Sequence, residues 1–201
     1  MKRIAKPLLI AALALGTSAC MTTPRAGPTD VTRYHLGAEQ IRPGSFAVEP
    51  LSTTGTMSLE YQAYGDAVAG ELTRLGYTRV GEGLPSDYVA QVSFRRAPAG
   101  VIRQQSPFSI GLGGGSFGRN VGVGGGVSLP VGGGGLREVT ASELAVQLRR
   151  RSDSTVVWEG RAVAQSVAGT PDAANEVMSA KLASALFRGF PGDSGITITV
   201  K

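Results

Sequence analysis

Apolar positions along this chain recur with two periods, and each change of period marks a new element. Met57, Tyr61, Tyr64, Val68, Leu72 and Leu75 follow one another at spacings of three and four, which sets them along one face of a helix. Thr56 is the expected N-cap of that helix. Gly76 is the expected left-handed residue past its end, and Tyr77 then folds back on the last turn. Core packing is the plain reading of Tyr61 and Tyr64. From Asp87 the period falls to two: Tyr88, Ala90, Val92 and Phe94 alternate with Gln91, Ser93 and Arg95, as in a strand with one buried face.

The same alternation returns at Leu144, Val146 and Leu148. After the polar turn Arg151-Ser152-Asp153-Ser154 it resumes with Val156, Trp158 and Ala162 on one face, opposite Val157, Glu159 and Arg161. Two such runs joined by a short polar turn predict a β-hairpin. Ser45 to Val48 reads as an earlier strand stopped by Pro50. Thr170-Pro171-Asp172 is a helix start, with a capping hydroxyl, proline at the first helical position and an acid near the positive end of the dipole. Ala174, Val177, Met178, Leu182, Ala185 and Leu186 supply its buried stripe. Gly189 and Phe190-Pro191 end it, and Ile196 to Val200 add a last strand. This order of elements predicts an α+β fold: a two-layer sandwich of a mainly antiparallel sheet and two helices.

One segment obeys neither period. Thirteen of the 25 residues from Gly111 to Gly135 are glycine. Arg119-Asn120 divides the segment into halves of similar texture. It reads as a glycine-rich hairpin insertion. Glycine strands pack few side chains, so the plain reading is a surface insertion. The functional reading makes it a surface that another backbone or a membrane approaches closely, with Phe117, Arg119, Asn120 and Val121 as its candidate contact residues.

The N-terminus carries an address. Lys2, Arg3 and Lys6 precede a short apolar run, Leu8 to Leu15, and then Gly16, Thr17, Ser18 and Ala19 lead to Cys20. The run is too short for a bilayer of roughly 30 Å and has the form of a secretory signal. Cys20 is the only cysteine, and Thr17-Ser18-Ala19-Cys20 resembles a lipobox, with Thr17 where leucine is commonest. Residues 1–19 are therefore the expected signal peptide, and Cys20 the expected lipid-bearing first residue of the mature chain. Residues 20–40 are the expected lipidated N-terminus and tether, and 41–201 a single domain. Met21, in place of a retaining aspartate, favours the outer membrane by resemblance to Gram-negative sorting, with the folded part facing the periplasm. Acyl chains such as palmitate would serve as the membrane anchor.

Removing the signal leaves 17 Lys and Arg against 15 Asp and Glu, a net charge of +2 where the whole chain has +5. No basic run is interleaved with aromatics, so nucleic acid is not an expected partner. Arg149-Arg150-Arg151 reads as a solvated strand end. His35 is the only histidine, has no cysteine or second histidine to join it, and makes a poor metal ligand or base. Gly114-Gly115-Ser116-Phe117-Gly118 fits a nucleophile elbow, and Gly113, Gly115 and Gly118 fit a dinucleotide fingerprint. Neither is followed by a helix, as its chemistry requires, and both are chance matches in glycine-rich sequence. Asp66, Glu71, Asp87 and Glu159 are scattered acids that spacing alone does not pair. No catalytic residue, metal site or cofactor is expected.

The order of a signal ending at Cys20, a strand at Phe46, Leu75-Gly76-Tyr77, Asp87-Tyr88, Val157-Trp158-Glu159-Gly160 and Phe190-Pro191 resembles the bacterial envelope lipoproteins grouped as a domain of unknown function (DUF4136). The resemblance covers residues 41–192. Gly192 stands where the pattern has a second proline, and the glycine-rich insertion is longer than the pattern's. The family implies no activity and no catalytic residues. The expectation is a lipid-anchored cell-envelope protein, a non-enzymatic binding or adaptor module for another envelope protein. The alternatives are a membrane-apposed, self-associating structural lipoprotein and, after it, a hydrolase.

Overall fold

The computed structural model of the chain describes residues 27–51, 58–103, 109–112, 127–130 and 135–201. In chain order its elements are β1 (Thr29–His35), β2 (Ser45–Pro50), α1 (Leu59–Arg74), β3 (Thr78–Arg79), β4 (Tyr88–Arg103), β5 (Ser109–Leu112), β6 (Val127–Pro130), β7 (Leu136–Arg150), β8 (Val156–Val167), α2 (Asn175–Phe187) and β9 (Thr197–Val200).

β1 corrects the sequence reading, which made residues 20–40 a tether. It lies inside the sheet, antiparallel to β8 on one side and to β9 on the other. Its inward positions are Thr29, Val31 and Arg33, all buried. Two of these three are polar, so the alternation carries no hydrophobic signal. The first described strand begins at Thr29, twelve residues before Ile41.

Seven strands form one sheet in the order β3-β2-β4-β7-β8-β1-β9. β2 runs parallel to both β3 and β4; the other pairings in this sheet are antiparallel. The sheet is therefore mixed. The parallel pair β2–β4 is connected through α1, as parallel neighbours require a crossover. With two helices this is an α+β fold. β5 and β6 pair antiparallel as a separate two-stranded sheet, Ile110 opposite Leu129.

Ser58, not Thr56, caps α1: its Oγ accepts the Tyr61 N–H at 3.1 Å. Thr56 and Met57 lie outside the described residues. The other end closes as a Schellman motif. Tyr77 N–H donates to the Leu72 carbonyl and Gly76 N–H to that of Thr73, with Gly76 at φ +92°. Tyr61, Tyr64, Val68 and Leu72 are buried as the spacing predicted.

α2 starts later than expected. Pro171–Ala173 is a 3-10 turn, and the α-helix begins at Asn175 after Ala174. The Thr170 hydroxyl caps nothing; it donates to the Val167 carbonyl at 2.7 Å. Three residues per turn shift the helical phase, so Ala174 and Val177 are exposed, and the buried stripe starts at Met178 and runs through Leu182, Ala185 and Leu186.

Both helices pack against the same sheet face. Tyr64 of α1 stacks on Phe94 of β4, centroids 4.7 Å apart, and Phe187 of α2 stacks on Trp158 of β8 at 5.2 Å. Leu144, Val146, Leu148, Ala162 and Ala164 fill the face between them. Burial of each large side chain here contributes about 1.5–3 kcal/mol. Val157, expected on the solvent face, is fully buried. Leu148 pairs with Trp158 but Arg149 pairs with Val156, so Val157 is the extra residue of a β-bulge that breaks the alternation.

Candidate functional site

The motif residues that are far apart in sequence meet at one end of the core. The Trp158 indole lies over Gly160, where an added Cβ would come within 2.6 Å of the ring and 2.8 Å of Leu186. Trp158 Nε1–H donates to the Pro191 carbonyl at 3.0 Å. Phe190 packs on Trp158 at 5.2 Å and meets Tyr77 edge-on at 6.3 Å. Tyr77 in turn meets Phe46 and Tyr88. Leu-Gly-Tyr, Trp-x-Gly and Phe-Pro are thus one aromatic junction joining α1, α2 and the sheet.

Two polar residues of β1 complete the junction. Arg33 is 4% exposed. Its guanidinium donates to the carbonyls of Leu186, Ala185 and Arg188 at 2.9, 3.1 and 2.9 Å, where a cation also meets the negative end of the α2 dipole. Gly192 has φ +81°, and a Cβ there would strike Arg33 Nη1 at 2.2 Å. Glycine at 192 therefore leaves room for the Arg33 guanidinium. His35 Nδ1 accepts the Gly37 N–H at 3.1 Å, so Nε2 carries the proton and donates to the Gly192 carbonyl at 2.9 Å. The histidine secures this turn. Arg33 is buried and His35 and Gly192 are half-buried, and their hydrogen bonds are made within the junction, which is the chemistry of a scaffold.

The opposite sheet face carries the more accessible geometry. Between β1, β7 and β8 lies a shallow groove of about 460 Å³. Thr32, Tyr34, Gln147, Glu159, Arg161 and Thr197 line it, with Leu51 and Ala145. Register explains the set: Gln147, Glu159 and Tyr34 sit in one row across the sheet, and Ala145, Arg161 and Thr32 in the next. Gln147 Nε2 donates to Glu159 Oε2 at 3.3 Å. Sequence reading found the face but not this groove, because β1 had no visible period and its place beside β8 was unknown.

The sequence-predicted candidates fall as follows. Cys20 and Met21 lie outside the described residues, as do Phe117, Arg119, Asn120 and Val121. The four scattered acids stay apart in function. Asp66 pairs with Arg79, Glu71 with Arg74, Asp87 accepts from Ser45, and Glu159 lies in the groove. Arg150 pairs with Asp153 and Arg151 with Glu49. With Ser86 and Asp87 they border an open hollow of about 620 Å³. Among the described residues no group of three or more His, Cys, Asp or Glu is placed to hold a metal ion, and no helix is long and apolar enough to cross a membrane.

A mixed sheet with two helices against one face and an open groove on the other defines the class: an α+β domain with one sheet face that no helix covers among the described residues. Residues 30–192 match the family described as a domain of unknown function (DUF4136), and the chain belongs to it. An uncharacterized protein of Zymomonas mobilis, ZMO1243, is 27% identical over 214 residues, covering 87% of this chain and 80% of the relative. Among solved structures, the PelC dodecamer of Paraburkholderia phytofirmans is 13% identical over 79% of this chain and 94% of that one, with a TM-score of 0.38. A PDZ domain protein of Parabacteroides distasonis is 11% identical over 88% of this chain and 39% of that one, at 0.43. At these scores neither structure bears on this chain's fold or assembly.

Proposed function

We propose that this protein is a non-enzymatic binding module of the bacterial cell envelope. Acyl chains on Cys20 hold it on the outer membrane, facing the periplasm, with Met21 as the sorting residue. It is a two-layer sandwich whose helix-covered face is scaffold and whose open face docks an envelope protein. The observation that carries this reading is the groove of Thr32, Tyr34, Gln147, Glu159, Arg161 and Thr197 on the helix-free face. It offers paired donors and acceptors on rigid strands, the arrangement that positions a partner. The glycine-rich hairpin of residues 111–135 is a second, peripheral part of the same proposal.

A photo-crosslinking residue at position 147, compared with one at exposed position 184 on α2, tests it in intact cells. A discrete adduct from 147 that is absent from 184 and lost with Glu159→Arg supports the reading. Equal or absent adducts at both positions overturn it. A second reading, a self-associating membrane-apposed lipoprotein, is favoured by the edge strand β9, beside which Ile196 and within which Ile198 are 50% and 36% exposed. It requires size heterogeneity that disappears when residues 111–135 are deleted.

A further inference from the structure

The seven-stranded sheet ends on two edges of different character. β3 is two residues long, and its Arg79 pairs with Asp66 at 2.9 Å, which blunts that edge against further pairing. β9 carries Thr197, Ile198, Thr199 and Val200, with no charge and no proline. Among the described residues no strand pairs with its outer side. Its inner side is held firmly in register. The Thr197 and Thr32 hydroxyls share a hydrogen bond at 2.7 Å, and Thr199 Oγ1 donates to Asp30 Oδ1 at 2.8 Å.

These threonines lie on the groove face, and the apolar residues of β9 lie on the other. Ile198 stands opposite Val31 and Val200 opposite Thr29, both inward positions of β1, so Ile198 and Val200 belong to the helix side. There a hollow of about 270 Å³ opens between the edge and the turn that follows α2. Val31, Ile196 and Ile198 give it apolar walls, and Arg188 and Asp193 border it. Ile196 and Ile198 are partly open to solvent. Asp193 acts on the buried Arg33 guanidinium, and Arg188, which is exposed, is the cation at the rim.

An extended segment laid along β9 presents successive side chains to opposite faces. Alternate residues reach the hollow beside Ile198. Those between them pass Thr197 and Thr199, and Thr197 also lines the groove. The edge is therefore continuous with the groove, and a partner seated in one has the other within reach. We propose that the partner adds a strand to this sheet. It is a short extended segment paired along β9, with branched apolar side chains toward the hollow, hydroxyl-bearing ones beside the threonines, and an acid against Arg188. This names how the partner binds and rests on the binding-module reading above.

The probe is a capped peptide of three valines alternating with two threonines, closed by a glutamate at each end. It is added to the full acylated protein in detergent micelles, and amide exchange and isoleucine methyl resonances are followed by NMR. The outward-facing amides of β9 should exchange about tenfold more slowly at a peptide concentration near ten times its Kd. The Ile198 methyls should shift, Thr78 and Arg79 should not respond, and Ile198→Lys should abolish the effect. Arg188→Glu should weaken binding of this peptide and favour one closed by lysines instead. Equal protection at both sheet edges overturns the proposal. Unchanged exchange, with the adduct from position 147 still formed in cells, overturns the added strand and leaves the binding module standing. Unchanged exchange with no such adduct removes both. Protection of β9 that grows with protein concentration, without peptide, assigns the edge to a second copy of the chain and overturns the proposal.

Discussion

Arg33 Nε donates to the Leu186 carbonyl at 2.9 Å, so the first strand of the sheet closes the last turn of the last helix. The same guanidinium reaches the Ala185 and Arg188 carbonyls. This one side chain joins chain segments more than 150 residues apart. It also explains why a buried arginine occurs on a central strand: its guanidinium is matched by a helix C-terminus.

Arg33→Leu keeps much of the volume and strands three carbonyls. It is expected to lower stability by about 2–4 kcal/mol, the cost of buried acceptors left unsatisfied. Arg33→Lys, which reaches fewer carbonyls, should fall between the two. Urea midpoints of the three proteins check the order.

Gly160→Ala places a methyl 2.6 Å from the Trp158 ring and 2.8 Å from Leu186. Neither neighbour has room to withdraw, because Trp158 is also held by Phe187, Phe190 and the Pro191 carbonyl. A loss of about 1–3 kcal/mol is expected from overpacking, with a red-shifted Trp158 emission as the ring is displaced.

Asp87 gives an acid limb. The Ser45 hydroxyl, and after it the Ser45 N–H, hold its carboxyl below the ordinary 3.8. The unfolded chain then binds the proton more readily than the folded one. The stabilisation is complete above the ordinary value and is lost as pH falls through the lowered one. Asp87→Asn should therefore be less stable than the parent at pH 7, with the difference vanishing in strong acid. Thermal midpoints across pH 2–7 read it.

The tyrosines give the opposite limb. Burial pushes Tyr61 up to about 12 and raises Tyr64 and Tyr77 as well. Here the folded state holds the proton more tightly. Their contribution is present below the unfolded value near 10 and is lost as pH rises through the raised values. Phenolate absorbance of these three should appear together with loss of the far-ultraviolet circular dichroism. Tyr61→Phe, which removes a buried hydroxyl with no hydrogen-bond partner, should unfold at higher pH than the parent.

How much of this was legible depended on which side chains fill the inward positions. α1, β4 and the β7–β8 hairpin could be read because Tyr64, Val68, Leu72, Val92, Leu144 and Leu148 place apolar groups inward at the proper period. The caps at Gly76 and Gly189 were equally local. β1 was hidden because Thr29 and Arg33 occupy two of its inward positions, and the burial of Arg33 makes sense only once the carbonyl end of α2 is beside it. Val157 and Val177 were misplaced for a related reason. A bulge and a 3-10 turn change the phase by one step, and periodic reading assumes that the phase is constant.

The sequence by itself determined the class of fold, the C-terminal ends of the two helices, the central hairpin and the family motifs, since each rests on neighbours within a few residues. The tertiary structure alone decided the strand order, the parallel pairing of β2 with β4, the insertion of β1 between β8 and β9, and the groove that results. Those features depend on contacts between residues up to about 170 positions apart. Local periodicity says which face of an element is apolar; only the assembled sheet decides what that face meets.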